Sequence, residues 1–201
     1  MGRLYVVGLT GPTGAGKTTV SRFLAQNGYP VIDADIVARE AVLPNTRCLQ
    51  EIRQTFGEAV IHPDGSLNRR AIGDIVFADN IRLKQLEQIL YPGIIARIDD
   101  RLNQYRQDGV PVVILDAPTL FESGADSMCG RIIVVMAPRK TRITRIMARD
   151  NLSEKQAMER VTAQQSDAFY LDRADYVVDN TTAVPDYTAL LDWLAGILNE
   201  K

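Results

Sequence analysis

Residues 4–19 read LYVVGLTGPTGAGKTT, a short apolar run that breaks into glycines and then into a lysine and two threonines. Tyr5, Val6, Val7 and Leu9 have the character of a strand, and Gly11 to Thr18 fits G-x-x-x-x-G-K-[ST] at every fixed position. Glycines at 11, 14 and 16 let the backbone curl so that successive N–H groups point inward, forming an anion nest that opens into a helix N-terminus. Such a nest takes a triphosphate. Lys17 then reaches the β and γ phosphates as a point charge, and the Thr18 hydroxyl offers one ligand to Mg²⁺, a cation that prefers oxygen donors. The helix that follows is marked by Val20, Phe23 and Leu24 at i, i+3, i+4, with Gly28 as its stop.

The rest of the chain is placed outward from this stretch. Its 201 residues suit one core domain with insertions, or a core and a small second lobe. A hydrophobic share of 46% with 24% charged residues is enough to bury a sizeable core. The net charge of −2 gives no overall field for gripping nucleic acid, so no nucleic-acid partner is expected. Cys48 and Cys129 lack metal-type spacing and read as inert thiols in a reducing compartment. No apolar run reaches the roughly 18 residues needed to cross a bilayer, and the first residues show no signal pattern. A cytoplasmic protein without a membrane partner is the expectation.

Tyr29 to Ile32 forms a second apolar run ending in Asp33, Ala34, Asp35. In parallel α/β sheets ligands collect beyond the carboxyl ends of strands, which puts Asp33 where it can orient or deprotonate an acceptor hydroxyl. Asp35 is the expected cap of the next helix. From Ile36 to Gly109 the pattern is helical, with one stripe at Leu49, Ile52 and Phe56 and another at Ile81, Leu83, Leu86, Ile89 and Leu90. Pro63, Asp64, Gly65 signals a turn, and His62 beside it reads as a surface residue. An insertion of this size exceeds what a crossover needs and is a candidate substrate lobe.

PVVILD at 111–116 reads as a central strand buried on both faces, and Asp116 closes it where a carboxylate holds Mg²⁺ through water. Glu122 follows in the next turn. RIIVVM at 131–136 is a fourth strand, and beyond it Arg142, Arg145 and Arg149 recur at i, i+3, i+7 on one side of a helix. There they are placed to close over phosphates and neutralise charge as the γ-phosphoryl departs. Ser153 with Gln156 makes a capping box for a helix running to about Gln165. ADYVVDN at 174–180 supplies a fifth strand, and Tyr187, Leu190, Leu191, Leu194, Ile197 and Leu198 an amphipathic closing helix on which Trp193 packs.

Five blocks, in order, resemble the dephospho-CoA kinase family over nearly the whole chain: GLTGPTGAGKTT at 8–19, VIDADIVARE at 31–40, SLNR before Arg70 with Phe77 following, LDAPTLFESG at 115–124 and ADYVVDN. The resemblance implies ATP-dependent phosphorylation of the ribose 3′-hydroxyl of dephospho-CoA, giving coenzyme A and ADP. It implies an α/β phosphate-loop NTPase core with a five-stranded, mainly parallel sheet over 1–35, 110–137 and 172–201. A helical acceptor lobe over 36–109 and a helical lid over 138–171 complete the expected fold. ATP and Mg²⁺ are the implied co-substrate and cofactor, and the protein is expected as a monomer or small homo-oligomer.

Residue by residue, the resemblance places nucleotide binding on Gly14, Ala15, Gly16, Lys17, Thr18 and Thr19, with Asp33 as base. Arg69, Pro118, Leu120 and Glu122 match acceptor positions, and Arg145, Arg149 and Gln164 match the lid. The catalytic set is thus Asp33, Lys17 and Arg145, with Arg142 and Arg149 on the nucleotide and Thr18 and Asp116 on the metal. The chain departs from the family pattern at Pro12 and Thr13, at Tyr91 before Pro92, at Thr119 and at Arg142. Another small-metabolite or nucleoside kinase shares the loop and the acid, and differs in acceptor. A nucleotide switch is a further class, but no Asn-Lys-x-Asp guanine signature is present.

Overall fold

The computed structural model describes residues 4–182 and 186–199. The outermost residues of the expected core segments, 1–3 and 200–201, lie outside these, as do 183–185. The chain divides into two compact units, Met1–Ile32 with Tyr105–Lys201, and Asp33–Gln104.

The first unit carries the sheet, in the order β2-β3-β1-β4-β5. Its strands are β1 (Tyr5–Thr10), β2 (Val31–Asp33), β3 (Val112–Asp116), β4 (Arg131–Met136) and β5 (Tyr176–Asp179). β1 is central and runs parallel to both neighbours, with Leu9 opposite Asp116 on one side and Ile133 on the other. β4 pairs parallel with β5, Met136 opposite Asp179. All five residues of β3 are buried, as its unbroken apolar sequence requires for a strand covered on both faces. The order reverses about β1, since the chain places β2 and β3 on one side of it and β4 and β5 on the other. In such a sheet the crevice for a ligand opens beyond the carboxyl end of the strand at the reversal. That end is Thr10, one residue before the glycine loop.

Helix α1 (Lys17–Gln26) packs Val20 and Leu24 on the sheet with Val7, Leu9, Ile114, Ile133 and Val135. Gly28, in the left-handed region at φ 87°, ends it as the sequence indicates. The closing helix α9 (Thr188–Asn199) adds Leu190, Leu194 and Ile197 to the same core, while Trp193 packs against Tyr176 at 4.9 Å between ring centroids. Leu198 is exposed and does not join the apolar face.

The arginine-bearing segment belongs to this first unit. It forms α6 (Arg139–Asp150), α7 (Glu154–Thr162) and α8 (Asp167–Leu171). The Ser153 and Gln156 capping box is present in full. α7 ends three residues short of the expected Gln165, and Ser166 then caps α8, a helix the periodicity does not reveal because it spans little more than one turn.

The second unit is helical: α2 (Ala34–Ala41), α3 (Arg47–Phe56), α4 (Arg69–Ala78) and α5 (Asn80–Gln107), the last running past its boundary. Ile52, Val60, Ile72 and Val76 are its buried centre, with Leu83, Leu86, Ile89 and Leu90 packed against them. Ile81 was expected in that stripe and is 69% exposed. It lies in the first turn of α5, where Asp79 Oδ1 accepts its backbone N–H at 2.7 Å. The turn at Pro63, Asp64, Gly65 is closed by His62 and Ser66, and His62 is exposed as expected.

Candidate active site

The loop after β1 is shaped by two glycines that no other residue replaces. Gly16 caps α1 in the left-handed region at φ 94°, and a β-carbon there would fall on the side-chain amide of Asn180. Gly14, at φ 78°, lies under α6, where a β-carbon would meet the Arg142 carbonyl oxygen at 2.7 Å. Within the loop, the Ala15 N–H donates to the Pro12 carbonyl at 3.1 Å, and the Thr13 N–H donates to Gln164 Oε1 at 2.7 Å. Lys17 and Thr18 then stand in the first turn of α1, at the positive end of its dipole.

Lys17 Nζ is ion-paired with Asp116 Oδ1, the side chains 16% and 6% exposed. The carboxylate expected on the metal thus sits beside the ammonium expected on the phosphates. Pro118, two residues on, accepts the Thr10 hydroxyl at 3.4 Å and ties the end of β1 to the turn after β3. The Leu120 side chain is wholly buried and packs 2.7 Å from where a β-carbon on Gly8 would stand. Glu122 is exposed, and its charge helps to raise the Tyr170 phenol above its ordinary range, after burial.

Helix α6 gathers its arginines along one side, as the spacing predicts, but each finds a different partner. The Arg145 guanidinium holds backbone carbonyls, NH1 on Ala15 at 3.1 Å and on Gly14 at 3.4 Å, and NH2 on Asn180 at 2.9 Å. It grips the loop through its carbonyls. Arg142 is 3% exposed and donates at 2.7 Å to Asp167, whose side chain is 49% exposed, a tie between α6 and α8. Arg149 is exposed and forms a two-bond contact with Asp150, whose carboxyl these arginine bonds hold below its usual range.

Asp33 ends β2 and caps α2, its Oδ1 accepting the N–H groups of Asp35 at 2.8 Å and Ile36 at 3.2 Å. The cap expected of Asp35 is therefore made by Asp33, because the helix begins at Ala34, two residues before the Ile36 start that an Asp35 cap gives. Arg69, exposed, is the first residue of α4 behind the Asn68 cap. Asn180 is the member of the site that sequence reasoning passed over: 3% exposed, it donates to Ala15 and accepts from Tyr187. Its signal was present in ADYVVDN, a polar residue just past the carboxyl end of a strand.

The dephospho-CoA kinase family model matches residues 5–186, a span that takes in the loop, Asp33, Asp116 and the arginines. The chain belongs to this family. A dephospho-CoA kinase of Oceanobacillus iheyensis is 39% identical over 187 residues, covering 93% of this chain and 94% of its own. A crystal structure from Thermus thermophilus superposes with a TM-score of 0.82 at 35% identity, covering 97% and 98% of the two chains. A dephospho-CoA kinase from Campylobacter jejuni does so with a TM-score of 0.69 at 26% identity, over 98% and 97%.

Proposed function

We propose that this dephospho-CoA kinase family member transfers the γ-phosphoryl of ATP to the ribose 3′-hydroxyl of dephospho-CoA, giving coenzyme A and ADP. The observation that carries this is the loop itself, in a chain matched by the family over residues 5–186: left-handed Gly16 at the head of α1, with Lys17 next to it held by Asp116. The N–H groups at the start of α1 receive the phosphates of ATP, and Lys17 leaves Asp116 for the more highly charged β and γ phosphates.

Thr18 and Asp116 would hold Mg²⁺, and the donors fit: a hydroxyl and a carboxylate are hard oxygen ligands. Mg²⁺ at such a site keeps several waters and takes further oxygens from the substrate phosphates. When bound there, the ion would supply charge neutralisation for the phosphates. Asp33 accepts the proton of the acceptor hydroxyl, its orientation fixed by the two N–H groups on Oδ1. Arg69, Pro118, Leu120 and Glu122 contact the acceptor, and α6 to α8 serve as a lid bringing Arg142, Arg145 and Arg149 to the nucleotide and the departing phosphoryl.

An acceptor panel tests the assignment. With ATP and Mg²⁺, ADP release should require dephospho-CoA and stay at background with AMP, nucleosides or shikimate. Turnover with one of the others and none with dephospho-CoA would replace the acceptor while leaving the phosphate loop in place.

A further inference from the structure

We infer that Asn180 is a positioning residue for phosphate binding, acting through the Ala15–Gly16 peptide. Its side chain is buried at the end of β5 and fully engaged. Nδ2 donates to the Ala15 carbonyl at 2.7 Å, and Oδ1 accepts the Tyr187 hydroxyl at 2.9 Å. Its backbone is held as well, the N–H on Met136 at 2.8 Å and the carbonyl accepting Arg145 NH2 at 2.9 Å. The Ala15 carbonyl thus has two donors, Asn180 Nδ2 and Arg145 NH1, both fastened to elements other than the loop.

A peptide unit is planar and trans, so its carbonyl and the next N–H point in opposite directions. Fixing the Ala15 carbonyl toward Asn180 therefore fixes the Gly16 N–H away from it, toward the mouth of the loop where the nest receives an anion. The β-carbon that Gly16 lacks would occupy the place of Asn180 Nδ2, so glycine at 16 and asparagine at 180 are two halves of one fit. Tyr187 sets which end of the amide faces Ala15, because its hydroxyl donates to Oδ1 and leaves Nδ2 for the carbonyl. Preorganised donors of this kind do not need reorienting when the anion arrives.

The inference rests on the phosphate-loop reading, and its test keeps the two apart. Asn180→Asp is isosteric but sets an oxygen against the Ala15 carbonyl. Calorimetric titration of ATP with Mg²⁺, and separately of pyrophosphate, should show both affinities about tenfold weaker than in the wild type, the order expected for losing one buried hydrogen bond. KM for ATP should rise in step while KM for dephospho-CoA stays within about twofold, a split that general destabilisation does not produce. Tyr187→Phe, which frees the amide to flip but keeps Nδ2, should weaken both ligands about threefold and decides the matter if Asn180→Asp does not fold. Unchanged affinities in the folded variants, or a loss for ATP without one for pyrophosphate, would overturn the role. A wild-type protein that binds neither ligand would instead remove the phosphate-loop reading, and the inference with it.

Discussion

Lys17, the first residue of α1, and Asp116, the last residue of β3, are joined by an ion pair that both side chains make largely out of water. The charge proposed to meet the nucleotide is thus already compensated within the chain itself. Removing one partner leaves the other buried and uncompensated, which costs more than the pair contributes. Lys17→Ala should abolish turnover in a coupled ADP assay and lower unfolding stability by about 2 kcal/mol. Adding Asp116→Asn should restore most of that stability and none of the activity, so a double-mutant cycle by urea unfolding separates the two roles. Additive losses would show that the pair carries no coupling.

Asp33 is both helix cap and proposed base, and substitutions separate these functions because asparagine caps as well as aspartate does. Asp33→Asn should leave the melting temperature and ATP affinity near wild type while kcat falls at least roughly a hundredfold. Asp33→Ala should show the same rate loss and a further stability loss of about 1 kcal/mol. Near-normal turnover in Asp33→Asn would remove it as the base.

Arg142 tests the tie between α6 and α8. Its Nε is the buried side-chain polar atom without a partner among the described residues, and the half-exposed Asp167 is the ion-pair partner of a guanidinium that is 3% exposed. Asp167→Ala should therefore destabilise by about 2 kcal/mol, whereas Arg142→Gln, which removes the charge itself, should stay within about 1 kcal/mol of wild type. Denaturant unfolding of the two variants reads the difference directly.

Alkaline stability follows from Cys129, whose thiol is pushed up to about 12 by burial, with Asp126 adding in the same direction. In the unfolded chain the thiol ionises near 9, so above that pH the unfolded state releases a proton that the folded state keeps. The stability from the raised value is complete below pH 9 and is lost as pH climbs toward 12, at up to about 1.4 kcal/mol per unit. Burial raises Cys48 and Tyr170 as well, so the contribution is isolated by comparison with Cys129→Ala. That variant should lose stability less steeply between pH 9 and 11 in thermal melts.

Much of this was legible in the sequence because local rules and tertiary structure agree there. The run before Gly11 must be a strand, Gly28 must stop a helix, and Ser153 with Gln156 must begin one. The helix stop and the capping box are satisfied by neighbours within a few residues, and the strand by an apolar run that any parallel sheet interior accepts. What the sequence hid lies in long-range pairing. Nothing within ten residues of Arg142 marks Asp167 as its partner, and the i, i+3, i+7 spacing of the arginines fixes their face of α6 but not what they meet. Asn180 is separated from Ala15 by 165 positions, so its role emerges only when β4 and β5 are laid beside β1. The start of α2 shifted the cap from Asp35 to Asp33, a difference of two residues that propensity does not resolve.

The hydrogen bond from the Thr13 N–H to Gln164 gives the loop an occupant drawn from its own polypeptide. An incoming nucleotide that claims that donor must displace a carboxamide from the segment just past α7. Filling the loop and letting go of residue 164 then become one equilibrium, and ligand entry is felt 151 positions down the chain.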